Sequence, residues 1–389
     1  MQTADPLELF PPAPEAAAAR IAAIDPRAYA RTRNALDGQV TRLSPYVTHG
    51  YVHVPEVVAQ LGRRHILRLQ DRIVAELGWR EYFHHVWRHL GDGIFESRRP
   101  PISDAAYADT MPDDILRGAT GVPVIDAAVR ALYETGYLHN HARLWLASYV
   151  VHLRKVDWRA GAVWSYGYLL DGDLAPNHLS WQWVAGTLTG RPYLFNADNV
   201  SRNAGQVPGW RSPGTAIDCG YDEIERIARS CEVLPAEPGT HPGVTPPGLF
   251  AAPPAGLLPQ ADLPSLAGRR VRLVHPWSLA APGDADLRIG VLLAPFHRRF
   301  PWSATRWHFV LARMREACDA VLFGEPAELD AVLAAAQCVA LETRNPGYAE
   351  WLARRVPSCE ALPRFFDDPP QYCTSFSRFW ERIAANPPL

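Results

Sequence analysis

Four short stretches combine residue types that ordinary packing does not require. In Thr41-Arg42-Leu43-Ser44-Pro45-Tyr46, serine followed by proline reads as a helix start, with Ser44 as N-cap and Pro45 at the first helical position. Such a start exposes backbone N–H groups. With the hydroxyls of Thr41 and Ser44 beside them it forms a cradle for a pyrophosphate, although a plain Ser-Pro helix start has the same letters. Glu76, Trp79, Arg80 and Phe83 are spaced i, i+3, i+4, i+7 and share one helical face. A carboxylate, an indole and a guanidinium on one face suit the wall of a polar, aromatic-lined pocket; an amphipathic helix edge is the alternative.

The third stretch is Tyr137-Leu138-His139-Asn140-His141-Ala142-Arg143, where Asn140 and Arg143 open an otherwise apolar helical run. Buried polar groups need partners. The fourth stretch offers them: Asp171-Gly172-Asp173-Leu174-Ala175-Pro176-Asn177, followed by Trp181-Gln182-Trp183. His139, His141 and the aspartates could be read as metal ligands, but i, i+2 spacing on a helix points two rings apart, so no metal is expected. Neither GxGxxG nor GxxxxGK[ST] occurs, which removes a standard dinucleotide fingerprint and a P-loop.

The elements that must hold these groups fall into two halves. Residues 1–235 read as mainly helical, with runs at Asp71 to Leu90, Val124 to Glu134, His139 to Val156, Gly161 to Leu170 and Asp222 to Ser230. Residues 236–267 are rich in proline and read as an extended linker draped over the first half. Residues 268–389 alternate strand and helix, with strands expected at Val271 to Val274, Ile289 to Leu293, Ala320 to Gly324 and Val339 to Glu342. Helices are expected there at Ala304 to Ala317, Glu328 to Ala335 and Tyr348 to Arg354, giving a small parallel α/β layer. Phe296-His297-Arg298-Arg299-Phe300-Pro301-Trp302 reads as a solvated loop.

Composition narrows the class. The chain has 389 residues, 48% hydrophobic and 21% charged, with a net charge of −2, a globular balance in which any nucleic-acid site must be a local basic patch. Its 39 basic residues include one lysine, Lys155, so positive charge is carried by arginine forks that suit phosphate and carboxylate; a GC-rich genome gives the same bias. The six cysteines form no CxxC, and the N-terminal residues do not resemble a secretory leader. Reduced thiols, a cytoplasmic location, no membrane span and a monomer are expected.

Taken together, Tyr29-x-x-x-Arg33-Asn34 leading into TRLSPY, ELGWREYF, TGYLHNHAR, and DGDLAPNHLSWQWVAG ending in PYLFN resemble the FAD-binding catalytic domain of the DNA photolyase and cryptochrome family. They occur in the family's order over roughly residues 20–205. The resemblance implies FAD as cofactor, with Tyr29, Thr41, Leu43 and Ser44 on its phosphates and ribose and Arg80 and Asn140 elsewhere in its pocket. It puts Arg143, Asp171 and Asp173 beside the isoalloxazine, and Asn177 facing flavin N5. Glu76, Trp79, Leu144 and Trp183 match positions that contact a cyclobutane pyrimidine dimer in DNA, although Leu144 stands where the family commonly has methionine. Trp181 and Trp158 match the inner two members of a photoreduction chain. Trp87, Trp145 and Tyr107 are candidates for its surface member.

The implied activity is that of a deoxyribodipyrimidine photo-lyase, a carbon-carbon lyase that uses blue light and reduced FAD. The alternative is a cryptochrome-like flavin photoreceptor that signals without repair, and a DNA-binding flavoprotein with a structural flavin is a third class. Asn140 and Leu144 occupy places where six-four photolyases carry histidines, which argues against that lesion. Only Cys219 and Cys231 lie in the helical half, too few for an iron–sulphur cluster. Family chains ordinarily begin with an α/β antenna domain. Here the α/β region follows the helical one, and Ser375 to Trp380 faintly resembles the end of that antenna domain, so a rearranged antenna-like unit is expected, its chromophore unknown.

Overall fold

The computed structural model describes residues 6–237, 242–258, 263–280 and 284–385. Short helices (Pro14–Ala22, Pro26–Thr32, Ser44–Thr48 and Val54–Gly62) lead into the long Arg72–Leu90 helix. Ile73, Val74 and Val86 are buried along it, and Gly91, at a positive φ of 52°, ends it. The Pro123–Thr135 helix starts on proline and stops at Gly136 in the left-handed region. Next come the Asn140–Ser148, Trp158–Tyr168 and Leu174–Ala185 helices. The last two meet where Gly161 leaves room for an indole: a Cβ there would lie 2.3 Å from the Trp181 ring.

The helix expected over 139–156 forms over 140–153, with its last turn π rather than α. After Ser148 the chain widens into a π-helical turn, Tyr149–Leu153. Lys155, at φ +49°, then turns the chain away, and its ammonium caps the end of the Tyr221–Arg229 helix by donating to Ile227 O and Ala228 O. The only lysine is thus a buried structural cap. Among the described residues no helix is long and apolar enough to cross a membrane.

The second half contains β1 (Leu249–Phe250), β2 (Arg270–Val274), β3 (Leu287–Leu293), β4 (Trp302–Ser303), β5 (Ala320–Gly324) and β6 (Gln337–Ala340). A four-stranded parallel sheet has the order β5-β3-β2-β6. Parallel strands covered on both faces carry unbroken apolar runs, and β3 does so with Ile289, Val291, Leu292 and Leu293 all buried. The last strand lies two residues earlier than expected, and the helix read at Glu328 to Ala335 runs Pro326–Val332.

The stretch expected to be a solvated loop is instead interior. Ala294–Arg299 is a helix, and β4 pairs antiparallel with β1. Phe296, His297, Phe300 and Trp302 are buried. The arginines that gave the stretch its polar look reach outward, Arg298 to Glu325 and Arg299 over the Phe95 ring. Residues 242–258 lie along the helical half, with Val244 N donating to Arg117 O and Tyr168 Oη donating to Pro247 O.

The two halves share one apolar core, which runs from Tyr46 and Val74 to Leu273, Val291 and Trp302. The outer face of the Arg72–Leu90 helix also grips the C-terminal stretch through polar contacts. Glu81 accepts from Phe365 N at 2.8 Å and Phe366 N at 3.1 Å. His85 donates through Nδ1 to Asp368 and accepts from Cys373 N at Nε2. The Phe376–Ala384 helix then crosses at Gly78, where a Cβ would lie 2.1 Å from the Trp380 ring. A glycine in mid-helix weakens it by about 1 kcal/mol relative to alanine; here it admits an indole.

Candidate functional site

A cavity of about 340 Å³ opens in the helical half, within the size range of small-molecule sites. The inner face of the Arg72–Leu90 helix contributes Glu76, Trp79, Arg80 and Phe83; the Asn140–Ser148 helix contributes Asn140, Arg143 and Leu144. Asp171 comes from the loop before the Leu174–Ala185 helix, and Asn177 and Trp181 from that helix. Tyr29, Thr41, Leu43 and Ser44 close another side. Residues picked from four separate stretches therefore line one space.

Arg143 donates to Asp171 Oδ2 at 2.7 Å and to Leu138 O at 2.9 Å. Burial alone would lower the arginine's pKa, but the Asp171 carboxylate outweighs it and holds the value above the ordinary one. Asp171 Oδ1 is buried at the cavity wall with no donor among the described residues. A buried acceptor left in that state is costly, and an N–H of a bound group would satisfy it. With the hydroxyls of Thr41 and Ser44 across the cavity, the donor and acceptor set fits a flavin dinucleotide.

Asp173 does not join this pair. Its Oδ2 accepts from Arg80 and from His84 Nε2, both at 2.8 Å. Burial works against the carboxylate, yet His84 and Arg80 hold its pKa far below the usual range. It faces a second, smaller cavity of about 80 Å³ between the helical half and residues 342–345 and 362–364. Arg80 lines both spaces. The Asp171-Gly172-Asp173 loop thus sends one carboxylate each way.

Asn177 donates from Nδ2 to Ala162 O at 2.8 Å and accepts at Oδ1 from Ser165 Oγ at 3.3 Å. The same Ser165 oxygen accepts from Trp181 Nε1 at 3.0 Å. Ser165 was not picked from the sequence. Its only signal was a polar residue inside an apolar run. Tyr137, whose ring lies 5.5 Å from the Arg143 guanidinium, also lines the cavity without having been assigned a role.

Glu76 pairs with Arg33 at 2.9 Å. Burial raises its pKa, with Arg33 pulling the other way. Trp79 stacks flat on Phe376 of the C-terminal helix, centroids 4.0 Å apart and planes 7° from parallel, so one face of the indole is covered and its plane is fixed.

Two further expectations need correction. Ser44 is the first helical residue rather than the cap; Leu43 takes the cap position without a side-chain bond, and Thr41 Oγ1 accepts from Leu43 N. Trp183 does not line the cavity and packs on Tyr193 at 5.8 Å. On the Leu174–Ala185 helix the cavity face runs through Asn177, Ser180, Trp181 and Val184, and position 183 falls off that stripe. Trp158, expected only as an electron-hopping site and not as a cavity residue, is buried, with its Nε1 on Ser97 and the Arg159 guanidinium 4.9 Å above its ring. Of the candidates for a surface hopping site, Trp87 and Trp145 are buried.

Comparison with known proteins bears on the same region. The model of the FAD binding domain of DNA photolyase matches residues 73–206. A deoxyribodipyrimidine photo-lyase of Streptomyces griseus is 39% identical over 156 residues, 40% of this chain and 34% of the relative. One from Agrobacterium fabrum is 34% identical over 197 residues, 48% of this chain and 40% of the relative. A chloroplastic/mitochondrial cryptochrome DASH of Solanum lycopersicum is 32% identical over 168 residues, 41% of this chain and 29% of the relative. The chain thus spans between about three-tenths and two-fifths of the length of these relatives.

Proposed function

The chain belongs to the DNA photolyase and cryptochrome family and carries its FAD-binding domain, and from that premise we propose that it is a deoxyribodipyrimidine photo-lyase, repairing cyclobutane pyrimidine dimers in DNA under blue light. One observation carries the reading: the residues matched to flavin contacts (Arg143, Asp171 and Asn177) and those matched to lesion contacts (Glu76, Trp79 and Leu144) line a single cavity. A flavin held there and a dimer of two adjacent bases extruded from one strand of the duplex would come face to face.

Reduced FAD, when bound and excited by light, supplies the electron that opens the dimer and takes it back. The chain's own groups do the rest. Arg143 and Asp171 hold a fixed pair of opposite charges beside the ring system. Asn177 is a neutral amide whose orientation is set by Ser165 and Ala162, so it faces the flavin without adding charge. Glu76, held by Arg33 at the cavity wall, hydrogen-bonds the base edge. Trp79 forms the apolar wall, braced from behind by Phe376; stacking of a base on such a ring is worth about 1–3 kcal/mol. Trp181 delivers electrons for photoreduction, with Trp158 next in line.

The runner-up is a photoreceptor that senses light without repair. Trp183 lying off the cavity and the cryptochrome DASH relative favour it. The deciding assay exposes photoreduced protein and a dimer-containing oligonucleotide to blue light. Repair well above the dark control is expected. Its absence, with FAD present, leaves the photoreceptor reading.

A further inference from the structure

We infer that Arg306, supplied by the α/β half, is a positioning residue of the flavin pocket: its guanidinium clamps the Asp171-Gly172-Asp173 loop so that the two carboxylates face separate cavities. The inference rests on the flavin reading above and adds a residue from outside the matched domain, residues 73–206.

Arg306 sits in the first turn of the Ala304–Ala317 helix and is 0% exposed. Its Nη1 donates to Tyr166 O at 2.9 Å and its Nη2 to Gly172 O. The guanidinium lies between two ring faces, 4.6 Å from Tyr166 and 4.2 Å from Trp302. Among the described residues no carboxylate comes within ion-pair distance of it. A buried cation held only by carbonyls and rings is expensive to keep. What faces it explains its retention: Asp171 and Asp173 flank the carbonyl it grips, and both favour its charged form while burial works against it.

Gly172 fits the same account. A Cβ at that position would lie 2.4 Å from Arg306 Nη1 and 2.8 Å from Tyr166 O, so the loop must carry glycine for the guanidinium to reach its backbone. The neighbouring carbonyls have uncharged partners: Thr48 Oγ1 donates to Asp171 O at 3.4 Å, and His49 Nε2 lies 2.9 Å from Leu170 O. Arg306 is the charged member of this set and comes from the other half of the chain. Its charge also adds positive potential beneath a site that takes an electron-rich ring.

The test uses the full-length protein, with FAD binding to stripped protein, the flavin midpoint potential and far-ultraviolet circular dichroism as readouts. Arg306→Met keeps the bulk and removes charge and donors. It is expected to weaken FAD binding by about tenfold or more and to move the potential negative. Arg306→Lys is expected to restore the potential but not the affinity, because the charge returns without the fork. A loop that only needed filling would leave the potential unmoved in Arg306→Met. Should Arg306→Met fail to fold, Gly172→Ala displaces the clamp from the loop side and is expected to weaken FAD binding similarly. Affinity within about twofold of wild type and an unchanged potential in the folded variant overturn the inference. Wild-type protein that takes up no FAD overturns the flavin reading, and this inference with it.

Discussion

The helical half and the α/β half both bury charge, and they do it for different ends. In the helical half, Arg143, Asp171, Arg80 and Asp173 pair at 2.7–2.8 Å around open space, and Asp171 keeps one oxygen without a donor among the described residues. Where the α/β half meets the helical half, the buried polar groups that join them close on backbone instead. Glu81 takes two amides of the 364–373 stretch, His85 takes another, and Arg306 donates to two carbonyls. A satisfied polar group costs little and holds parts in register; an unsatisfied one at a cavity wall points to a ligand. The contrast separates scaffold from site, and the scaffold contacts converge on the elements that carry the site.

The strongest way to break that contrast is to remove a scaffold contact. Glu81→Ala leaves the Phe365 and Phe366 amides buried without an acceptor, about 1–3 kcal/mol for each. Thermal or urea unfolding should show destabilisation of that size, with FAD uptake at low temperature retained. If FAD uptake is lost while stability holds, Glu81 belongs to the site.

Acid should act on the scaffold next. His152, His178 and His275 are buried, and burial depresses each to about 4 from an ordinary 6.5. They stay neutral in the folded protein and take protons readily when it unfolds. The sign follows: their contribution is full above about pH 6.5 and is lost progressively as pH falls toward 4, at about 1.4 kcal/mol per pH unit for each. Melting temperature measured from pH 7.5 to 4.5 should fall below pH 6.5. A flat profile would mean that these rings titrate normally.

A smaller effect sharpens the boundary between the halves. Phe376→Ala uncovers the back of Trp79 and forfeits a stacked pair worth about 0.5–1.5 kcal/mol. Affinity for dimer-containing DNA should drop severalfold while FAD content stays the same. Equal loss of both would mean that the C-terminal helix supports the whole pocket rather than its lesion side. Last, Trp181→Phe should leave FAD bound and slow photoreduction under blue light; a time course like wild type would remove Trp181 from the electron path.

How far the sequence reached follows from the same contrast. Glu76, Trp79 and Arg80, or Asn140 and Arg143, are set by helical spacing alone, and local spacing is written in the chain. The strands at Ala320–Gly324 and the helix at Ala304–Ala317 were equally legible, because continuous apolar runs and amphipathic periodicity are local too. Asp173 and Trp183 were misplaced because a matching motif says which residues are near, not which way each faces, and a turn of one residue carries a side chain off the stripe. The 294–302 stretch misled because Arg299 lies over the Phe95 and Phe300 rings and Arg298 reaches out to Glu325, which leaves both charges at the surface. Arg306, Phe376 and the glycines at 78 and 172 depend on contacts across more than a hundred residues of chain, which no local pattern encodes.

The central claim is that Arg143 and Asp171 form the charged wall of a flavin site. Heat-released pigment from purified protein, measured for wild type and for Asp171→Ala, tests it most directly. The account predicts FAD approaching one per chain in wild type and almost none in the variant, whose half-buried Arg143 would lose its partner. Equal FAD in both proteins, or none in wild type, would contradict it.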